Sequence, residues 1–450
     1  MAKVKQLKDV NNVIRNKFNL EERAFSSFKS FFIICEIFCT VPAYIHVELD
    51  PTKSLPESKC SAIGLLTVVH VIWCGAVLIC ILVSTYFQYT EFDTVMPIIQ
   101  RALYISEYIS NALNVLIATV GCYRNRKLYK KFFDRIIEVD LKLQSLRITQ
   151  GFQLITRLLR ILIAEIAVFF AFVLFVDFMY NDINGTAFLR SSTVYTIPNM
   201  LSLLSLAQYR LLLFMIQIRF NKINVVLGKK AGPNMMAKNA KHHNGGSDAI
   251  FQTLSYGGPY RKSNEPGMHD LINTLRSLHS DLDSLTSDVT ATFGLLIMSV
   301  FVASFLILSI QIFALYKLLE GKTFDVYYFL YTVLWIVLHL WKMLLVLIAN
   351  DAIIKERSKT SGLLNAIESI NQETEISVNR FILQLMGQSR SPIVCGMIEL
   401  DLMFLGTIVS ALTTYVIFLI QFDLGSVTLS ATTGNYTGSS AGVVIPTRMP

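Results

Sequence analysis

Tyr327, Tyr331, Trp335 and His339 are spaced by four, which puts them on one face of any helix that carries them. Such a stripe suits stacking on a sugar ring or on an aromatic alkaloid. Tyr and Trp also serve as anchors at membrane interfaces. That second reading fits Tyr327 best and Trp335 least, because Trp335 lies deeper in its apolar run. Further candidates come from polar and aromatic side chains inside other apolar runs: Tyr104 and Glu107, Asp177 and Tyr180, Tyr195, Asn199 and Gln208, and Gln311. Small-molecule pockets combine aromatic walls with a few convergent polar groups, so these residues form the expected ligand-binding set.

Ionisable residues within membrane runs are functional suspects for which partners should be named. Here they are Arg101, Glu107, Glu165, Asp177, Arg210 and Lys342. Arg210 and Glu165 lie at comparable depth on successive runs and are expected to pair structurally. Glu107 and Asp177 lie higher and are the better ligand groups. No enzyme is expected: there is no His-Glu-x-x-His, no Gly-rich phosphate loop, and no nucleophile with its base. The seven cysteines, Cys35, Cys39, Cys60, Cys74, Cys80, Cys122 and Cys395, are scattered. Only Cys35 and Cys39 share a short spacing, so buried free thiols, with no metal and no cofactor, are the expectation.

The elements that position these residues follow from composition. Mean hydropathy is +0.50, and 16% of the 450 residues are charged, against about 25% in soluble domains. Apolar runs at 62–87, 95–122, 158–180, 193–219, 289–316, 324–349 and 398–422 approach or exceed the roughly 20 residues that cross a bilayer. The predicted fold class is therefore an all-α membrane protein with seven transmembrane helices. Phe31 to Val47 is short and holds Glu36, Pro42 and His46, so it is read as an interfacial or protein-packed helix within the N-terminal segment 1–61. Met1 to Glu22 is polar, which predicts no cleavable signal peptide and insertion through an internal span.

Charge sets the direction. Segments 1–61, 123–157, 220–288 and 350–397 hold 31 Lys and Arg, and the alternate set 88–94, 181–192, 317–323 and 423–450 holds 4. By the positive-inside rule the N-terminus is cytoplasmic and the C-terminus extracellular. The net charge of +8 is thereby explained without nucleic acid as a partner. The sequons at Asn184 and Asn435 both fall in segments assigned outside, as glycosylation requires. This arrangement inverts that of G-protein-coupled receptors. Their Asp-Arg-Tyr, Asn-Pro-x-x-Tyr and outer-loop cysteine pair are missing as well.

Between spans four and five, the cytoplasmic loop 220–288 contains an insert, 229–268, rich in Gly, Asn, Ser, Pro and Lys, which predicts disorder. Its His242 and His243 read as solvated loop residues. Leu271, Leu275, Leu278, Leu282 and Leu285 then recur at helical steps and predict a cytoplasmic extension of the fifth span. Leu128 to Leu146 and 363–385 carry similar patterns. With segment 350–397 they predict a cytoplasmic anchor, between subunits or within one.

The last span ends in Thr414-Tyr415-Val416-Ile417-Phe418-Leu419-Ile420-Gln421-Phe422. This Thr-Tyr, five apolar residues and Gln-Phe, placed near the C-terminus, is similar to the signature of insect gustatory receptors. The likeness extends from Pro42-Ala43-Tyr44 to Leu334-Trp335 and His339, where it looks most like the fructose-receptor branch. The 423–450 tail and the 220–288 loop are longer than that pattern. The resemblance implies a multi-pass plasma-membrane receptor: a tetrameric, homomeric or heteromeric, nonselective cation channel opened by an external small-molecule tastant. A sugar such as fructose is favoured and a bitter compound is the alternative; membrane lipid is the other expected partner.

On that reading the last helix lines the pore. Gln421 sits at the gate, Phe418 or Ile417 forms an apolar constriction, and Thr414 and Ser410 continue the same face inward. Glu399 and Asp401 stand at the inner start of the span. Gln421 as glue across a helix interface is the simpler structural role. An obligate co-receptor subunit of the same architecture, or a secondary transporter, are the alternative functions.

Overall fold

The computed structural model describes residues 26, 28–41, 57–90, 98–146, 152–180, 185–231, 267–320, 324–367, 371–388 and 392–434. Asn184, Asn435, the His242-His243 pair and most of the 229–268 insert lie outside them. The elements in chain order are α1 (28–37), α2 (Glu57–Thr90), α3 (Ile98–Arg124), α4 (Arg126–Ser145), α5 (Phe152–Tyr180) and α6 (Gly185–Ser191). A π-helical turn (Ser192–Thr196) leads into α7 (Ile197–Ala231). Then come α8 (Met268–Glu320), α9 (Val326–Leu364), α10 (Gln372–Gln388), strands β1 (Ile393–Val394) and β2 (Ile398–Glu399), and α11 (Met403–Gly434).

Six helices among the described residues, α2, α5, α7, α8, α9 and α11, are long and apolar enough to cross a membrane. The seventh, α3, has the length, 27 residues, but buries Glu107, Asn111 and Asn114 on its inward face. Its polarity belongs to the interior of the bundle.

The bundle is built around α7. Of the most apolar stretch of α7, 83% is buried, against 11% for α2 and 17% for α11. A helix apolar on all sides must be surrounded, and α9, α8 and α3 surround this one. The two outlying helices keep most of their surface uncovered by their own chain.

Helices continue past the cationic ends of the spans. The Leu271, Leu275, Leu278, Leu282 and Leu285 stripe is buried within the chain, in one core with Phe132 and Ile136 of α4 and Phe381 of α10. The short N-terminal helix α1 is protein-packed too. Its Phe28 and Phe32 rings lie 5.6 Å and 6.0 Å from Phe133.

Where the sequence suggested one span from 398, the chain instead forms an antiparallel hairpin, Ile393 opposite Glu399 and Val394 opposite Ile398. Cys395 and Gly396 take left-handed backbone angles, φ 51° and 71°, which turn the chain. The turn sits over Gly294 of α8. A Cβ there would lie 3.5 Å from Val394 Cγ1 and 3.6 Å from Cys395 Sγ. Glu399 therefore belongs to a strand, and Asp401 caps α11 by accepting the Phe404 N–H at 2.9 Å. At its other end α11 continues to Gly434, beyond the expected limit of 422.

Polar pairs tie the inner half together. Arg219 donates to both oxygens of Asp140, at 3.1 Å and 2.6 Å, with both side chains almost wholly buried. Asn224 donates to Glu356 at 2.9 Å and accepts from Thr360 at 2.6 Å, and Tyr209 donates to Asn350 at 2.9 Å. His279 is enclosed by the rings of Phe220 and Phe381, 4.7 Å and 5.5 Å away. Gln388 reaches toward it, yet neither ring nitrogen makes a hydrogen bond of normal geometry. Burial, and then the neighbouring Arg357 guanidinium, hold its pKa down to about 3.

Asp140→Ala leaves the Arg219 charge buried without its carboxylate and is expected to cost about 3–5 kcal/mol, read as a lowered melting midpoint of the solubilised protein. Lys142→Ala, which removes exposed ion pairs with Glu138 and Asp281, is expected to cost no more than about 1 kcal/mol in the same assay. For His279 the folded state resists the proton that the unfolded chain binds near pH 6.5. Its contribution is complete above that pH and is lost as pH falls from 6.5 toward 3. The acid limb of a stability profile is expected to flatten over that window in His279→Phe.

Candidate functional site: a buried aromatic and polar chamber

The carbonyl-to-amide ladder of α7 cannot include Pro198, which has no N–H and would press its ring on the carbonyl four residues back. The chain meets this by widening into the π turn at Ser192–Thr196, where the Ile197 N–H donates to the Ser192 carbonyl. Asp177, fully buried near the end of α5, holds the turn by accepting from the Ser191 hydroxyl at 2.8 Å and the Ser192 hydroxyl at 3.1 Å. The consequence is the position of Tyr195, which the turn directs into the bundle.

There Tyr195 meets aromatic rings from two other helices. Its hydroxyl donates to Tyr108 of α3 at 2.8 Å, and its ring lies 6.3 Å from Trp335 of α9. Trp335 has Tyr331 edge-on at 5.8 Å on one side and His339 at 6.2 Å on the other. Tyr331 stacks on Tyr180 of α5 at 5.6 Å with the planes 17° apart. Tyr180 and Tyr331 belong to the outer ends of their spans, so the aromatic cluster runs inward from the outer side.

Beneath the rings the lining becomes polar. His339 Nδ1 lies 3.0 Å from the Ser304 hydroxyl, while its Nε2 is buried without a partner. Asn199 donates to the Tyr195 carbonyl at 2.8 Å and contacts Asn111 at 3.5 Å, and it accepts from the Lys342 ammonium. The second amide hydrogen site of this group, Asn111 Nδ2, is buried without a partner. Two ionisable side chains are almost wholly buried here, Glu107 at 2% and Lys342 at 1% exposure. Among the described residues Glu107 makes no hydrogen bond and neither group forms an ion pair. Buried ionisable groups and unpaired donors are costly, and their concentration in one place makes this the candidate ligand site.

Of the candidate ligand residues, Tyr331, Trp335, His339, Glu107, Asp177 and Asn199 converge in this chamber. Asp177 acts as a support, since both its oxygens already hold the π turn. Gln311 is buried two turns outward of Ser304 on the same helical face. Tyr327 stands apart. It is 42% exposed in the first turn of α9, where its N–H is capped by Asp325, and Tyr328 takes its place beside Tyr180 at 5.8 Å.

Gln208 also stands apart, on the inner half of α7. It accepts from Tyr129 at 2.6 Å and donates to Thr40 at 2.8 Å, pinning the N-terminal segment. The Tyr104 side chain lies outside the described residues. Arg210 faces Glu165 electrostatically without closing an ion pair. Tyr108, Asn111, Ser191, Ser192 and Ser304 lacked any individual signal; only Pro198, two residues past the π turn, hints at the break that brings them in.

The second candidate region is α11. Ile408, Leu412, Val416 and Leu419 form its buried stripe, with Phe404 stacked on Phe301 and Tyr415 against Phe305 of α8. The opposite face carries Val409, Ser410, Thr414, Ile417, Phe418, Gln421 and Phe422, all exposed on the single chain. The Thr414 hydroxyl bonds back to the Ser410 carbonyl at 3.1 Å, leaving Gln421 as the polar end of that face.

The cluster makes a stability contrast. Trp335→Ala is expected to cost about 3–5 kcal/mol, and Tyr327→Ala to stay within about 0.5 kcal/mol of the parent, both read as melting midpoints.

Comparison with known proteins joins the fold to a family. Residues 15–426 match the family model described as 7tm Chemosensory receptor. Similar relatives include gustatory receptor 59e of Drosophila melanogaster, 24% identical over 375 residues, spanning 82% of this chain and 91% of the relative. Gustatory receptor 59f of the same species is 25% identical over 359 residues, 79% of this chain and 78% of that one. Among solved structures, the insect olfactory receptor OR5 from Machilis hrabei superposes with a TM-score of 0.59 at 9% identity, over 88% of this chain and 99% of that one. Its complex with eugenol gives 0.60 at 12% identity, over 88% and 97%. The chain, a multi-pass helical protein of the plasma membrane and not an enzyme, therefore belongs to the 7tm chemosensory receptor family.

Proposed function

We propose that this receptor is a ligand-gated nonselective cation channel, assembled as a homotetramer or heterotetramer and opened by an external small-molecule tastant bound in the chamber of each subunit. A sugar such as fructose is the favoured ligand and a bitter compound the alternative. The observation that carries the reading is the chamber itself: flat rings at Tyr331 and Trp335 above buried Glu107 and Lys342. A polyol has a flat apolar face for the rings and hydroxyls for the polar floor. The OR5 complex adds support, because a related fold binds a small aromatic molecule, eugenol.

The pore assignment rests on α11. Burying only one stripe against its own subunit leaves its other face for copies of itself around a central axis. Ile417 and Phe418 would then form a constriction that dewets when narrow, with Gln421 as the gate. Tastant binding shifts the population toward an open arrangement only through contacts that differ between the two states. Trp335 and His339 lie on α9, which packs on the same α8 that supports α11, so the chamber and the pore share a wall.

The test is to express the chain alone and record currents while applying fructose, other sugars and bitter compounds. Ligand-evoked cation current is expected, with Gln421→Ala altering gating and Trp335→Phe raising the half-maximal concentration without abolishing surface expression. Surface protein without current to any tastant would point to the co-receptor role. Radiolabelled substrate uptake without conductance would replace the channel reading with a transporter.

A further inference from the structure

The first span, α2, is the least covered of the six most apolar helices, yet one place on it is densely built. His70 and Cys74 are one helical turn apart and face the same way. The turn that closes α1 brings Cys39 against them, so that one nitrogen of His70 and the two sulfurs all lie within 4.8 Å of one another. Cys39 sits in the left-handed backbone region at φ 57°, where a side chain with a Cβ is disfavoured. Its conformation is held by the Cys39 N–H on the Glu36 carbonyl at 3.1 Å and the Thr40 N–H on the Cys35 carbonyl at 2.9 Å.

The histidine is oriented as a ligand. Nε2 donates to the Glu36 carbonyl at 2.8 Å, which fixes the tautomer and leaves Nδ1 as the acceptor nitrogen, engaged by the Tyr123 hydroxyl that a metal would displace from it. That Nδ1 lies 3.7 Å from Cys74 Sγ and in contact with the Tyr123 hydroxyl of α3, itself 3.9 Å from the same sulfur. A backbone carbonyl on the far nitrogen is the usual outer support of a metal-bound imidazole.

We propose that Cys39, His70 and Cys74 form a binding site for a thiophilic divalent cation of the zinc class, with the Tyr123 hydroxyl at the fourth corner. Two thiolates and an imidazole select zinc over magnesium or calcium, which take oxygen ligands. Zinc holds sulfur at about 2.3 Å and nitrogen at about 2.0–2.1 Å; the 3.7 Å between His70 Nδ1 and Cys74 Sγ already suits that geometry, and no other pair, all within 4.8 Å, need shorten by more than about 1 Å. On binding, the two thiols pass two protons to water and no electron is transferred. The site lies at the cationic, cytoplasmic side of the span, where thiols stay reduced. It would clip α1 and the poorly packed α2 to α3.

Full-length receptor is purified in detergent with zinc supplied, and metal is counted per subunit. About one zinc is expected, and cobalt in its place is expected to show a thiolate-to-metal charge-transfer band. His70→Ala and the double variant Cys39→Ser/Cys74→Ser are expected to lose at least about ten-fold in bound metal, while Cys80→Ser, an exposed thiol on the same helix, keeps it. If the double variant does not remain monodisperse, the cobalt spectrum of the parent protein decides. Zinc below about one-tenth per subunit, cobalt bound without the charge-transfer band, or zinc retained by a folded double variant would overturn the site. So would a Cys39–Cys74 disulfide recovered by non-reducing peptide mapping.

Discussion

A polar side chain on a helix surrounded by protein and lipid must find its partner within the bundle, because no water is there to supply one, and five polar side chains along α7 obey that constraint. Asn199 meets Lys342, Gln208 meets Thr40 and Tyr129, Tyr209 meets Asn350, Arg219 meets Asp140, and Asn224 meets Glu356 and Thr360. Each pairing fixes the rotation and depth of a neighbour against the central post. Apolar packing alone tolerates sliding by a residue; these pairs do not. The remaining helices take their places from α7 outward.

Two consequences bear on function. In the inner half His279 and Arg357 carry buried polar atoms without partners among the described residues, and in the outer half Asn111, Thr196 and His339 do. A ligand entering there would find a preformed site held by the π turn and by Asp177. The periphery is the opposite: α2 and α11 touch the bundle along single stripes. A helix held on one side by its own subunit is suited to move or to meet another copy, and α11 is the one whose free face ends in Gln421. The hairpin seated over Gly294 joins that helix directly to α8, so shifts in α8 reach its start.

The family likeness and the geometry contribute different things. The terminal motif pointed to a pore helix but had no bearing on where a ligand sits. The chamber emerged from contacts among α3, α5, α7, α8 and α9, whose residues lie far apart in the sequence, from Glu107 to Lys342. Trp335 is legible as a candidate from its spacing, whereas Tyr108 and Ser304 are ordinary residues until the fold sets them beside it.

Composition and periodicity alone determined the number of spans, the helical extension beneath the fifth, and the direction of insertion through the excess of Lys and Arg. These are properties of single segments responding to lipid and charge. Tertiary structure decided that Tyr331, Trp335 and His339 face inward while Tyr327 does not, because the first turn of α9 projects beyond the bundle. It decided that Gln208 pins the N-terminal segment, since depth along α7 is set by its partners. It placed Glu399 in a strand, where left-handed turns at Cys395 and Gly396 override an apolar run. It also brought Cys39 to His70 and Cys74 across more than thirty residues, a convergence that no local spacing encodes.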